Sequence, residues 1–123
     1  MAGPIHKYKK EELKIQASIF EWFNNNYCLD FHEPQCVIFS VPNDLAGGNK
    51  VAAMQAKAAG LLSGVSDLII VIPKKTIFCE LKTEIGTQSD EQIKFEKKVS
   101  NLGFEYWLIR SLNEFQIKIK KTL

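Results

Sequence analysis

The chain has 123 residues, 46% of them hydrophobic and 24% charged, and its 16 basic and 14 acidic side chains leave a formal net charge of +2. A chain of this length buries roughly two thirds of its unfolded surface around one core, so a single domain over residues 1–123 is expected and a second catalytic module is excluded. No apolar run reaches the ~18 residues of a membrane span, and His6, Lys7, Lys9 and Lys10 open the chain with no apolar signal-peptide core behind them; neither a membrane protein nor secretion is expected.

Cys28, Cys36 and Cys79 are odd in number, lack a CxxC spacing and read as reduced thiols, two of them in apolar stretches. His6 and His32 form no ligand pair at zinc spacing, and His32 reads as a partly exposed loop residue. Lysines gather at Lys7, Lys9, Lys10 and Lys14, at Lys94, Lys97 and Lys98, and at Lys118, Lys120 and Lys121, while Lys14 and Lys50 have no basic residue between them. Such clusters permit a polyanionic partner but also describe ordinary solvated faces.

From Lys9 to Asn25, Leu13, Ala17, Phe20 and Asn24 follow one helical line and Glu12, Gln16, Ile19 and Phe23 the next, which predicts an amphipathic helix with two polar groups at its buried margin. Gln35–Val41 is rich in Val, Ile and Phe and stops at Pro42-Asn43, as a strand does before a turn. Ala46-Gly47-Gly48 then breaks the chain ahead of an Ala-rich helix from about Asn49 to Ala59, ended by Gly60.

Ser66–Ile72 and Thr76–Thr83 flank Pro73 and Lys74-Lys75 as a β-hairpin. With Lys74-Lys75 at its centre, Pro73 falls opposite Thr76, Ile69 opposite Glu80 and Asp67 opposite Lys82; a four-residue loop of the same parity preserves the faces. Leu68, Ile70, Ile72, Ile77, Cys79 and Leu81 then form a wholly apolar face. The other face carries Ile69, Val71 and Phe78 near the turn and Asp67, Glu80 and Lys82 at the far end. A third helix is expected over Ser89–Leu102, with Gln92, Phe95, Val99 and Leu102 inward, Lys94, Lys97 and Lys98 outward, and Gly103 as its stop. Glu105–Arg110 reads as a strand, and Leu112–Lys120 as either a short helix or a strand, because Phe115, Ile117 and Ile119 alternate.

Asp67, Glu80 and Lys82 admit two accounts: a cross-strand ion pair on a solvated face, or two carboxylates and an ammonium held together by a cation where flanking helices cover the sheet. At this point the residues resemble a known family. Asp67 followed by Glu80-Leu81-Lys82 is similar to the PD-(D/E)xK nuclease signature, and the surroundings resemble its VRR-NUC branch. The matching pieces are Glu12-x-x-Ile15-Gln16, Pro42-Asn43, Lys57-x-x-Gly60-Leu61-x-x-Gly64-Val65-x-Asp67, Gly86 with Ser89-x-x-Gln92, and Gly103, spanning Glu11 to Phe115. Ser66 departs from the Pro often found before the aspartate in that family, which leaves the ligand itself in place.

The resemblance implies an α/β, restriction-endonuclease-like fold, a central mixed sheet flanked by helices, and hydrolysis of DNA phosphodiester bonds with Mg²⁺ or Mn²⁺ and no small-molecule cofactor. By similarity, Asp67, Glu80 and the Leu81 carbonyl hold the metal, Glu12 joins them directly or through water, Lys82 positions the attacking water, and Gln92 belongs to the site. For Glu12 and Gln92 a helix-dipole role and a Ser89–Gln92 capping box compete. Lys94, Lys97, Lys98 and Lys50 are candidate DNA contacts; for Lys50, Asp44 and the Gly47-Gly48 loop a plain connector is the alternative. The stand-alone form resembles junction-resolving endonucleases of the cytoplasm of bacterial or phage-infected cells, with branched DNA as partner. Two nicks in opposed strands of a two-fold junction call for a homodimer, for which Phe20, Trp22, Phe23, Tyr106, Trp107 and Leu108 are possible contacts, a well-covered core being the simpler account of each taken singly. Cleavage of flaps or other DNA, and a catalytically silent binding module, are the rival functions.

Overall fold

The computed structural model describes residues 4–42 and 49–123, with side chains described from Lys9 onward. Asn43, Asp44 and the Ala46-Gly47-Gly48 break lie outside the described residues, as do the side chains of His6 and Lys7. The elements run α1 (Pro4–Tyr27), β1 (Val37–Ser40), α2 (Lys50–Ala58), β2 (Leu68–Ile72), β3 (Lys75–Leu81), α3 (Asp90–Asn101), β4 (Glu105–Ile109) and α4 (Leu112–Thr122). The four strands form one sheet in the order β1-β2-β3-β4. β1/β2 and β2/β3 are antiparallel and β3/β4 is parallel, so the sheet is mixed. The parallel step follows from α3, which carries the chain back to start β4 in the direction of β3.

The apolar hairpin face is the core. Leu68, Ile70, Ile72, Ile77, Cys79 and Leu81 are buried with Ile38, Trp107 and Ile109 of the sheet, Cys36 just before β1, Ile19 and Phe23 of α1, and Phe115 and Ile119 of α4. Phe115 makes edge-on contacts with Trp22, Phe23 and Trp107 at ring separations of 6.2, 5.9 and 5.9 Å. The opposite face is covered at its turn end by α3, where Phe95 stands edge-on to Phe78 at 5.4 Å. Among the described residues, no helix is long and apolar enough to cross a membrane.

The hairpin turns one residue earlier than the Lys74-Lys75 centre implies. Ile72 pairs with Lys75, so Pro73 and Lys74 form the turn, and Lys74 takes φ 62. Proline cannot donate to a ladder and its ring presets the first turn position, which favours this turn over a Pro73–Thr76 pair. Every partner moves by two residues: Ile69 faces Phe78 instead of Glu80, and continuing the register sets Asp67 opposite Glu80 instead of Lys82. Because the move is by two, the faces are unchanged.

Two further expectations are corrected and one that stood open is decided. On α1 the buried line is Ile19–Phe23, while Leu13 and Phe20 are 62% and 40% exposed. On α3, Phe95 and Val99 are buried but Leu102 forms the C-cap and is 74% exposed. Residues 112–122 are helix rather than strand: Ser111 accepts from the Glu114 amide as N-cap, and Phe115 and Ile119, one turn apart, face the core while Ile117 points outward. Of the aromatic residues considered for a dimer contact, Phe23 and Trp107 are core residues and Trp22 packs against that core. Cys36 and Cys79 are buried and Cys28 half-buried, all three free; His32 is half-buried in a loop, its Nδ1 accepting from the Leu29 amide.

Candidate active site

The charged end of the second sheet face lies beside a cleft of about 430 Å³ between α1 and the end of β1, lined by Lys9, Glu12, Leu13, Gln16, Ser40, Val41, Pro42 and Asp67. Asp67 ends the segment that follows Gly60, and its carbonyl accepts from the Val41 amide at 2.9 Å, tying it to the end of β1. One turn of that segment is fixed by Gly64, which takes φ +81 and passes so close to α3 that a Cβ there would lie 2.4 Å from the Glu91 carbonyl. Only glycine permits both the conformation and the approach.

Asp67 Oδ2 accepts from the Leu81 amide at 2.7 Å, a bond that reaches across the hairpin and brings the aspartate to the Glu80-Leu81-Lys82 segment. Glu80 is fully buried. Its Oε1 accepts from the Tyr106 hydroxyl at 2.8 Å, whereas Oε2 is buried without a hydrogen-bond partner and has the Lys82 ammonium 3.8 Å away. The Lys82 side chain is only 13% exposed, and a Cβ at Gly86 would stand 3.4 Å from its Cδ, so the returning loop confines its stem.

Burial is the main cause of the electrostatics. It pushes the Glu80 carboxyl up to about 7; the Tyr106 hydrogen bond opposes this and the Asp67 charge adds to it. Burial also raises Asp67, against the opposing pull of the Leu81 amide and of Lys82. Glu12 is raised chiefly by burial, with Lys82 opposing and Asp67 adding, so the helix carboxyl senses the same site. Three acidic groups in one electrostatic neighbourhood, each resisting ionisation, form the kind of cluster that an added cation relieves.

Two residues of that cluster fit a metal. Glu80 Oε2 is a buried acceptor with no donor, and Asp67, just before β2, is held to the next residue of β3 by the Leu81 amide. Among the described residues no group of three or more His, Cys, Asp or Glu side chains gathers as a ligand set. Among the described residues the site offers the carboxylates of Asp67 and Glu80, with Glu12 as an electrostatic neighbour, oxygen donors of the kind that suit a hard cation.

The other expected residues separate. Gln92 is occupied in the capping box: its Oε1 accepts from the Ser89 amide at 2.8 Å while Ser89 Oγ accepts from the Gln92 amide at 3.2 Å. Lys94 and Lys98 flank a groove of about 200 Å³ with Leu62, Ser63 and Phe95. Lys97 is exposed on the same helix, and Lys50 is exposed at the start of α2, a helix with no buried residue.

The residues around Glu80 that carry no family motif are Tyr106 and Gln88. Gln88 Nε2 donates to the Tyr106 hydroxyl at 3.3 Å and to Glu96 Oε1 at 3.0 Å. The sequence signal for Tyr106 is its parity: in a parallel β3/β4 pair it shares a face with Phe78 and Glu80. Arg110, the single arginine, donates from Nη1 to the carbonyls of Thr83 and Gly86 at 2.6 and 2.7 Å. It clamps the loop behind Lys82.

No model of a known protein family matches this sequence, and no curated protein matches it. Among solved structures, a protein described as "VRR_NUC domain protein" superposes with a TM-score of 0.71 over 90% of this chain and 86% of its own, at 16% identity. The chain thus has the mixed-sheet, restriction-endonuclease-like α/β fold of a VRR_NUC domain.

Proposed function

We propose that residues 1–123 act as a divalent-metal-dependent endonuclease domain that hydrolyses DNA phosphodiester bonds. The observation that carries this is the buried, donorless Glu80 Oε2 beside Lys82, next to Asp67, which accepts from the Leu81 amide and with Glu12 lines the neighbouring cleft, in a fold shared with a VRR_NUC domain protein. Asp67 and Glu80 would hold the metal, with the Leu81 carbonyl adjacent in sequence and Glu12 as an electrostatic neighbour. Mg²⁺ or Mn²⁺ held there would supply charge stabilisation on the phosphate and a more acidic water. Lys82, held between Glu80 and the Gly86 loop, donates to the attacking water and favours its hydroxide form. Lys9 lines the cleft, and Lys94 and Lys98 flank the groove beside α3; these ammonium groups suit backbone phosphates.

The preferred substrate is branched DNA, in the manner of a junction-resolving enzyme. Arg110 spends Nη1 on loop carbonyls, so recognition rests on lysines and DNA shape instead of bidentate guanine contacts. One chain carries one Asp67–Glu80–Lys82 set, and paired nicks across a two-fold junction call for two, hence a symmetric dimer on DNA. Labelled four-way junction, flap, duplex and single strand, each incubated with Mg²⁺, Mn²⁺, Ca²⁺ or EDTA, test the reading. Cleavage of the junction into paired products by Mg²⁺ or Mn²⁺ alone is expected. Cleavage confined to flaps shifts the substrate, and none under any condition rejects the endonuclease.

A further inference from the structure

We infer that Tyr106, oriented by Gln88 and Glu96, is a positioning residue that turns the Glu80 carboxylate so that Oε2 is the oxygen left for the metal. The inference rests on the metal-dependent site proposed above and adds residues outside its family signature. Its basis is donor and acceptor bookkeeping along one chain of side chains. An ionised glutamate accepts and does not donate, so Glu96 Oε1 at 3.0 Å requires the amide nitrogen of Gln88, not its oxygen, to face it. The same nitrogen lies 3.3 Å from the Tyr106 oxygen and carries a second hydrogen for it. With that lone pair engaged, the Tyr106 proton is directed to Glu80 Oε1 at 2.8 Å. The run has one polarity, Gln88 to Tyr106 to Glu80, and it ends with Oε1 occupied and Oε2 bare and buried beside Lys82.

The anchoring is rigid at each link. Tyr106 sits in β4, paired in parallel with β3 two residues before the Glu80 position, and its ring packs edge-on to Phe95 of α3 at 6.3 Å. Gln88 lies just before the Ser89 cap of α3, and Glu96 lies on that helix. Oriented second partners of this kind tune ligand geometry, and their loss typically weakens metal binding by 10–100-fold.

The test is Mn²⁺ titration by calorimetry on the metal-free full chain, with thermal melting in EDTA alongside. Wild type is expected to bind Mn²⁺ and Asp67→Asn to lose that binding. Tyr106→Phe, which keeps the ring and removes only the hydroxyl, is expected to bind about 10-fold more weakly while still melting cooperatively. Gln88→Leu is expected to weaken binding less, and to add nothing to Tyr106→Phe, because the two act in series. Wild-type affinity in Tyr106→Phe, or additive effects of the two substitutions, overturns this inference and leaves the metal site standing. Absence of Mn²⁺ binding by wild type overturns the metal site and the inference together. Should Tyr106→Phe melt without cooperativity, Gln88→Leu decides: wild-type affinity there also overturns the inference, and weakened affinity with unchanged melting supports it.

Discussion

The two faces of the β2–β3 hairpin share their backbone and differ in almost everything else. One presents six apolar side chains to α1 and α4 without a polar interruption. The other is apolar only where α3 covers it, around Phe78 and Phe95, and at its far end holds Asp67, Glu80 and Lys82. Burial stabilises the first face by removing apolar area from water and strains the second by raising two carboxyls above their ordinary range. A single strand pair thus provides both the rigidity of the fold and a charge cluster that the fold alone does not need.

That contrast predicts opposite responses to substitution on the two sides. Asp67→Asn and Lys82→Ala should each reduce cleavage by at least about 10³-fold, on the order of 4 kcal/mol of barrier, with little loss of stability. Glu80→Gln should likewise stop cleavage, and it should melt no lower than wild type in EDTA because it removes a buried charge. A cleaving variant among the three would dissolve the distinction between the faces. On the core side, Phe115→Ala should cost roughly 3–5 kcal/mol, since the ring is fully buried among Trp22, Phe23 and Trp107. Urea unfolding measures it, and a loss below about 1 kcal/mol would mean that the core is not centred there.

The segment between α2 and β2, which leads into Asp67, gives an intermediate effect. Gly64→Ala should cost roughly 2 kcal/mol, because the new Cβ meets the Glu91 carbonyl at 2.4 Å and the backbone holds φ +81. Unchanged melting would show that the approach to α3 relaxes freely.

The smallest effect is electrostatic. In the folded chain the Glu80 carboxyl sits at about 7, against an ordinary value of 4.5, so between those values the folded state holds more proton than the unfolded. Its contribution to stability is complete below about pH 4.5 and is lost as pH rises through about 7. Unfolding free energies from urea titration in EDTA should therefore fall from pH 5 to pH 8 by an amount on the order of 1–2 kcal/mol more in wild type than in Glu80→Gln. Equal slopes in the two proteins would place Glu80 in a more solvated setting than its burial implies.

The pattern of the chain by itself determined where most elements lie. Alternation across Ser66–Ile72 and Thr76–Thr83 assigned every side chain to its face, because parity survives any shift of two residues. Ser89 and Gln92 offered a capping box as the alternative to a site role for Gln92, and Gly103 marked a helix stop, since these are local steric and hydrogen-bond effects within a few residues. Asp67, Glu80 and Lys82 were recognisable as one group for the same reason: two strands joined by a tight turn are a local unit. What only the tertiary structure decided depends on contacts between distant segments. The two-residue shift of register required the turn to settle on Pro73-Lys74, and Gln88 donates to the Tyr106 hydroxyl while Gln92 closes the cap of α3. Tyr106 came to Glu80 through the parallel pairing of β4 with β3, and Arg110 was committed to the loop behind Lys82 by a bond 27 residues back along the chain. No local spacing encodes such encounters, because the chain entropy of closing long loops is offset only when the whole core assembles.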